Sequence, residues 1–297
     1  MTTTHTEESF AALKEITAAV GLTTAGAEPI RLAENDLWRL PGEVVVRIAR
    51  VGQEAAAARE VAVARWLAEN DVPAVRPLPM EQPVHAGGRT ATFWELLPQH
   101  QHGTEADLAP LLRQLHDLPK PDFPIGRLDP FVRIAERLKS ARSLGETDRQ
   151  WLLGRLADLH GEWENLPTGR PECVIHGDAW RGNCAVIETP HRRALLMDFE
   201  RTSLGVPEWD LTSTAVAYDT FGNLPRDQYD RYCELYGYDV MSWAGYATLR
   251  GIRELRLVTF ATQIADQAPQ ALSQARYRID CVRGRRGPRP WGWEAVA

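Results

Sequence analysis

Two short apolar runs, Cys184 to Ile187 and Ala194 to Met197, flank the turn Glu188-Thr189-Pro190-His191 inside a stretch that otherwise reads as helical. This limits the fold severely, because an isolated two-stranded ribbon is marginal in water and must be held by what surrounds it. A further apolar run, Val174-Ile175, precedes the hairpin and ends at His176-Gly177-Asp178. If the two runs pair outward from the turn, positions 183 and 198 are equidistant from its middle, so Asn183 and Asp198 are expected side by side. One carbonyl oxygen and one carboxylate at the open end, with Asp178 on the adjoining loop, make a hard oxygen-donor set. Such a set suits Mg²⁺ carrying a nucleotide, the chemistry of phosphoryl transfer.

The pattern elsewhere is that of an α+β chain in two lobes. Phe10, Leu13, Ile16 and Val20 share one stripe of a helix over 8–20. Segments 30–32, 37–40 and 43–49 alternate as three antiparallel strands, and 54–70, free of Gly and Pro, reads as a helix. Strands 83–86 and 89–97 form a second hairpin on Gly87-Gly88, a pair that supplies the positive φ values of a two-residue turn. Beyond Pro98 helices dominate, at 109–118, 130–144, 149–166 and through most of 211–278. The expected division is therefore a β-rich lobe over 1–97 and a helical lobe over 98–297.

At 297 residues and 44% hydrophobic composition the chain can bury substantial cores. No apolar run approaches the roughly 20 residues of a membrane helix, and the start, Met1 to Glu8, lacks the build of a signal peptide, so a cytoplasmic location is expected with no membrane partner. Cys173, Cys184, Cys233 and Cys281 are far apart, indicate neither disulfides nor zinc, and read as buried apolar residues. Of 34 basic residues only Lys14, Lys120 and Lys139 are lysines, so arginine is the chain's ordinary cation.

His-Gly-Asp-x-x-x-x-Asn over 176–183, followed by Asp198-Phe199-Glu200, resembles the catalytic and metal segments of the aminoglycoside phosphotransferase-like family, relatives of the protein kinases. Thr92 to Pro98 is similar to that family's hinge strand, Leu111 to His116 to the helix after it, and Pro207-Glu208-Trp209-Asp210-Leu211 to a downstream segment. The resemblance implies a two-lobed protein-kinase-like fold and an O-phosphotransferase using ATP or GTP with Mg²⁺. It implies that Asp178 orients the acceptor hydroxyl and accepts its proton, while Asn183 and Asp198 hold the metal. His176 is expected to hydrogen-bond the loop backbone. Arg181 is expected to steady the γ-phosphate and Trp180 to pack on the acceptor, with loop packing the alternative for both.

On the strand over 43–49, Val44, Val46 and Ile48 share one face and Val45, Arg47 and Ala49 the other, so Arg47 could reach nucleotide phosphates. Glu60 shares a helix stripe with Ala57, Ala64 and Leu67, faces the sheet, and is the natural partner of Arg47. Protein kinases and most relatives use Lys there. The Gly-rich loop of protein kinases is replaced by Ala33-Glu34-Asn35-Asp36, with Asn35 a candidate phosphate contact. The resemblance assigns the nucleotide base to backbone groups of Glu95 and Leu97, with apolar walls such as Val46 and Met197.

Residues 200–240 carry eight acids against Arg201, Arg226 and Arg231, a local balance of −5. Acids there suit an amine-bearing acceptor, with Glu200, Glu208 and Asp219 as candidates, and Asp210 as a capping or loop-bracing residue. The expected acceptor is an aminoglycoside-like antibiotic or amino sugar. The alternatives are a choline-, homoserine- or methylthioribose-type alcohol, or a degenerate nucleotide-binding fold without transfer. A monomer or weak dimer is expected. Gly284-Arg285-Arg286-Gly287 formally matches an RNA-binding loop, but too little chain follows it for that domain, and the net charge of −6 is acidic. The arginines near the C-terminus are expected to pair with acids, and no nucleic-acid partner is expected.

Overall fold

The computed structural model describes residues 3–33 and 35–296. Along the chain run α1 (Thr3–Ala19), β1 (Glu28–Leu32), β2 (Asp36–Leu40), β3 (Val44–Ala49), α2 (Glu54–Glu69), β4 (Val84–Ala86), β5 (Arg89–Glu95), β6 (Gln101–His102) and α3 (Glu105–His116). There follow α4 (Ile134–Ser140), α5 (Glu146–Glu164), β7 (Cys173–Ile175), β8 (Cys184–Ile187), β9 (Arg193–Leu196) and β10 (Ser203–Gly205). Helices α6 (Glu208–Val216), α7 (Arg226–Tyr236), α8 (Tyr246–Ala265) and α9 (Leu272–Val282) complete the order. Two compact units result: residues 1–126 with 181–203, and 127–180 with 204–297. This differs from a single boundary at 97, because the hairpin β8–β9 extends β6 and packs on α3, which draws 181–203 into the first unit.

In the first unit an antiparallel sheet runs in the order β1-β2-β3-β5-β4. Alternation sends Trp38, Leu40, Val46, Ile48, Ala91 and Phe93 to one face, where they bury against Leu13 and Ile16 of α1. The opposite face carries Arg47, paired in register with Thr92. The β4–β5 turn is made by Gly87 and Gly88 at φ +57° and +69°, a conformation that a Cβ would penalise. Val46 lies wholly inside the α1-facing core, so it cannot also wall a site on the Arg47 face. The Ala33–Asp36 loop falls partly outside the described residues, at Glu34.

Helix α3 starts earlier than apolar periodicity suggests. Thr104 and Asp107 form a reciprocal capping box that satisfies the first backbone N–H groups. In contrast, the helix expected over 130–144 is confined to Ile134–Ser140. Asp129 accepts the Phe131 N–H in a turn, and Arg133 sits at φ +64°, so regular helix starts only after it.

The second unit packs its helices around α8, against which α4, α5, α6 and α9 all lie. Trp209, Leu249, Ile252, Leu255 and Ile279 form its centre. The C-terminal segment is docked by stacked Trp291 and Trp293, and Arg278, 2% exposed, donates to the carbonyls of Leu257 and Glu294. Burial pushes the Arg278 guanidinium down to about 10. The arginines of this region pair as charge balance requires: Arg283 with Asp148, Arg285 and Arg286 with Asp280, and Arg289 with Glu254. Cys184 and Cys281 are buried, but Cys173 and Cys233 are only half-buried, which corrects the expectation for those two. No helix among the described residues is long and apolar enough to cross a membrane.

Phe93 is fully buried at the centre of the first unit's core. Phe93→Ala removes a whole aromatic ring and is expected to cost about 3–5 kcal/mol in urea unfolding. A loss below about 1 kcal/mol would show that this core is not what holds the sheet to α1.

Candidate active site

In the first unit, Arg47 donates to Glu60 of α2 and, through Nη2 at 2.9 Å, to Glu200. Glu60 is 5% exposed and Arg47 is largely buried, so the sheet face and α2 enclose a charged centre. Burial works against the Arg47 charge, but Glu60, Asp198 and Glu200 outweigh it and raise its pKa above the ordinary arginine value. For Glu60, burial is the largest influence and pushes its carboxyl up to about 7, with Arg47 opposing and Asp198 and Glu200 reinforcing the rise. A small cavity beside this centre is lined by Asn35, Gln53, Ala57 and Thr92. Asn35 ties its own turn to the end of β3 by accepting the Arg50 N–H. At the other end of the sheet the Glu95 N–H is spent on the Arg76 carbonyl and the Leu96 N–H on that of Glu43. These two N–H groups are therefore committed within the fold and are not left for a nucleotide base.

The hairpin pairs Cys184 with Leu196 and Ile187 with Arg193. Its register is one residue short of the symmetric arrangement: the Met197 N–H donates to the Asn183 carbonyl, so Asn183 stands opposite Met197 rather than Asp198. Asp198 follows at φ +64°, in the left-handed region that Asp tolerates better than most residues, and there the chain leaves the strand. The turn leaves its Oδ1 buried without a hydrogen-bond partner among the described residues. A buried carboxylate oxygen without a donor is costly and fits a cation, and Asn183, 8% exposed, adds a second hard oxygen from the same hairpin. Among the described residues no group of three His, Cys, Asp or Glu side chains could hold a metal. One carboxylate and one amide side chain on the same hairpin are hard oxygen donors of the kind Mg²⁺ takes alongside waters and phosphate oxygens.

In the second unit, β7 ends at Ile175, and Gly177 at φ +81° turns the chain. Asp210, on the first turn of α6 and 1% exposed, accepts the His176 N–H through Oδ2 at 2.7 Å and the Gly177 N–H through Oδ1 at 2.8 Å. The neighbouring Trp209 Nε1 donates to the Gly177 carbonyl. Two successive residues of α6 thus brace the loop that carries Asp178. His176 is fully buried and contributes its backbone N–H to that brace. Asp178 remains half-buried, and Arg253 of α8 lies 3.8 Å from its Oδ1.

Several other candidates occupy places the sequence did not suggest. Glu200 belongs to the Arg47 centre rather than to an acceptor surface. Glu208 is fully buried and accepts the Arg170 N–H, pressed so close to Gly169 that a Cβ there would collide with it. Asp219 is taken by Arg250 and by the Tyr246 hydroxyl. Arg181 lies near Glu105 of α3 at 4.0 Å, and Trp180 is exposed. Arg253 carries no motif and went unnoticed. Its only trace in the sequence is the spacing Arg250, Arg253, Arg256 along one helix.

Residues 27–252 match the phosphotransferase enzyme family. The chain belongs to that family. It is accordingly a phosphotransferase. No curated protein sequence matches the phosphotransferase. Among solved structures it is similar to a choline/ethanolamine kinase family protein from Mesorhizobium loti, at 20% identity and a TM-score of 0.63, covering 94% of each chain. It also resembles an aminoglycoside phosphotransferase from Streptomyces rimosus, solved with ADP and streptomycin, at 22% identity and a TM-score of 0.57 over 82% of this chain and 97% of that one. A choline kinase from Streptococcus pneumoniae matches at 16% identity and a TM-score of 0.62, over 93% and 97%. These likenesses show the fold: a small antiparallel-sheet lobe and a helical lobe of the protein-kinase-like kind.

The Glu60 carboxyl makes a pH dependence testable. In the folded chain it holds a proton up to about pH 7, whereas the unfolded chain releases it near 4.5. The folded state therefore binds more protons between these values, and its stability falls as pH rises through the window. Glu60→Gln removes that slope. Between pH 5 and 7.5 the wild type is expected to lose about 2 kcal/mol relative to Glu60→Gln in urea unfolding, and parallel profiles would contradict the assignment.

Proposed function

We propose that this phosphotransferase moves the γ-phosphate of ATP or GTP to a hydroxyl of a small molecule, with Mg²⁺ as the cation. The observation that carries the reading is the buried, donorless oxygen of Asp198, two residues from the Glu200 that Arg47 grips. Arg47, held by Glu60 and Glu200, is assigned to the nucleotide phosphates, whose oxygens match the geometry of a guanidinium fork. Asn35 and the backbone of Glu95 and Leu97 contribute to nucleotide binding. Asn183 and Asp198 would hold Mg²⁺, which when bound neutralises charge on the transferring group and the leaving diphosphate.

Asp178 orients the acceptor hydroxyl and takes its proton as the acceptor oxygen bonds to the γ-phosphorus. The bond from that phosphorus to the β–γ bridging oxygen breaks, and the nucleoside diphosphate leaves with the bridging electrons. Because the transition state is loose, holding the hydroxyl in line contributes more than removing its proton. Arg181 is assigned to the γ-phosphate and Trp180 to the acceptor.

An aminoglycoside-like antibiotic or amino sugar is the acceptor the family resemblance favours, which would make the activity one of antibiotic resistance. Of the acids named for its ammonium groups, Glu208 is enclosed and committed to the Arg170 N–H, and Asp219 is shared with Arg250. Choline-, homoserine- and methylthioribose-type alcohols are the alternatives. A panel of these acceptors with ATP and with GTP, followed by mass for the gain of one phosphoryl group, tests the reading. Asp178→Asn is expected to lower transfer at least about a hundredfold while nucleotide affinity changes less than threefold. Normal turnover by Asp178→Asn would remove Asp178 from the chemistry.

A further inference from the structure

The brace from α6 holds the backbone of the loop that carries Asp178. His176 N–H, Gly177 N–H and the Gly177 carbonyl are each held, whereas the Asp178 side chain is 38% exposed and lies beyond all three contacts. A carboxylate that must point at one hydroxyl gains from a fixed charge on one side. Arg253 supplies such a charge. Its Nη2 lies 3.8 Å from Asp178 Oδ1, and its side chain is only 11% exposed.

The guanidinium is itself immobilised. Arg253 Nη2 donates to Ser213 Oγ of α6, and its Cζ lies 5.6 Å from the Trp209 ring centre, with Arg256 also over that ring at 5.4 Å. Trp209 is the residue that holds the Gly177 carbonyl. The loop backbone and the guanidinium beside the Asp178 carboxylate are therefore referenced to the same aromatic ring.

We propose that Arg253 is a positioning residue for Asp178, holding the carboxylate in the orientation used on the acceptor hydroxyl. The inference rests on the role proposed above for Asp178. It makes α8 part of the catalytic apparatus although no residue of α8 carries a motif.

The full chain is assayed with MgATP and with water in place of the acceptor, so that no acceptor need be known, and phosphate release is followed. Arg253→Gln is expected to lower kcat at least tenfold while KM for ATP stays within twofold. Arg253→Lys, which keeps the charge, is expected to recover at least a third of wild-type kcat. In an Asp178→Asn background, Arg253→Gln is expected to produce no further fall, because the residue acts through Asp178. Wild-type kcat in Arg253→Gln, an equal fall in both backgrounds, or no recovery with Lys overturns the proposal. Should Arg253→Gln fail to fold, Ser213→Ala, which releases the tether, is expected to lower kcat at least threefold, and an unchanged rate overturns it. Normal hydrolysis by Asp178→Asn overturns the parent reading together with this one. An inactive Asp178→Asn beside a fully active Arg253→Gln overturns this one alone.

Discussion

Asp210 gives both carboxylate oxygens to consecutive backbone amides, and the loop carrying Asp178 depends on that pairing. The amides of His176 and Gly177 lie past the end of β7, where no strand partner supplies a carbonyl, and leaving buried amides unmet would cost on the order of 1–3 kcal/mol each. A single ionised carboxylate meets both, with charge-assisted bonds stronger than neutral ones. Because Asp210 sits on the first turn of α6, its charge is also favoured by the helix dipole. Helix, loop and strand thereby become one rigid piece, and Gly177 supplies the one backbone conformation that lets the two amides converge.

The first unit solves a related problem with opposite means. There the buried group is a charge, Arg47, and it is stabilised by two carboxylates on separate elements, Glu60 from α2 and Glu200 from the segment after β9. The arrangement ties helix, sheet and hairpin together by electrostatics. Its cost is visible in Glu60, whose carboxyl is pushed upward by burial even with an arginine against it.

Much of this was legible in the sequence. Strand alternation put Arg47 on the face opposite Val46, helix periodicity put Glu60 toward the sheet, and both sit where those periods place them. The two glycines of the β4–β5 turn announced themselves by conformation alone. What failed was whatever depended on register or on distant partners. The hairpin pairs one residue off the symmetric guess, because a turn's residue composition does not fix its length, and Asp198 leaves the strand at a positive φ that only the backbone reveals. The acids over 200–240 looked like an open surface because their partners lie elsewhere. Arg250 reaches Asp219 from α8, the Arg170 amide reaches Glu208 from the loop before β7, and Arg47 reaches Glu200 from a strand some 150 residues earlier. Val46 was misplaced as a wall by applying a family expectation over the face that the strand's own alternation assigned.

The proposed chemistry requires Asp198 to be an oxygen ligand for a divalent ion that accompanies a nucleotide. Electron paramagnetic resonance of Mn²⁺, a stand-in with the same preference for oxygen, tests this directly when titrated into the chain with ADP. The wild type should bind the ion in a nucleotide-dependent way, and Asp198→Asn should lose that binding while its circular dichroism is unchanged. Equal nucleotide-dependent Mn²⁺ binding by the two proteins would contradict the account.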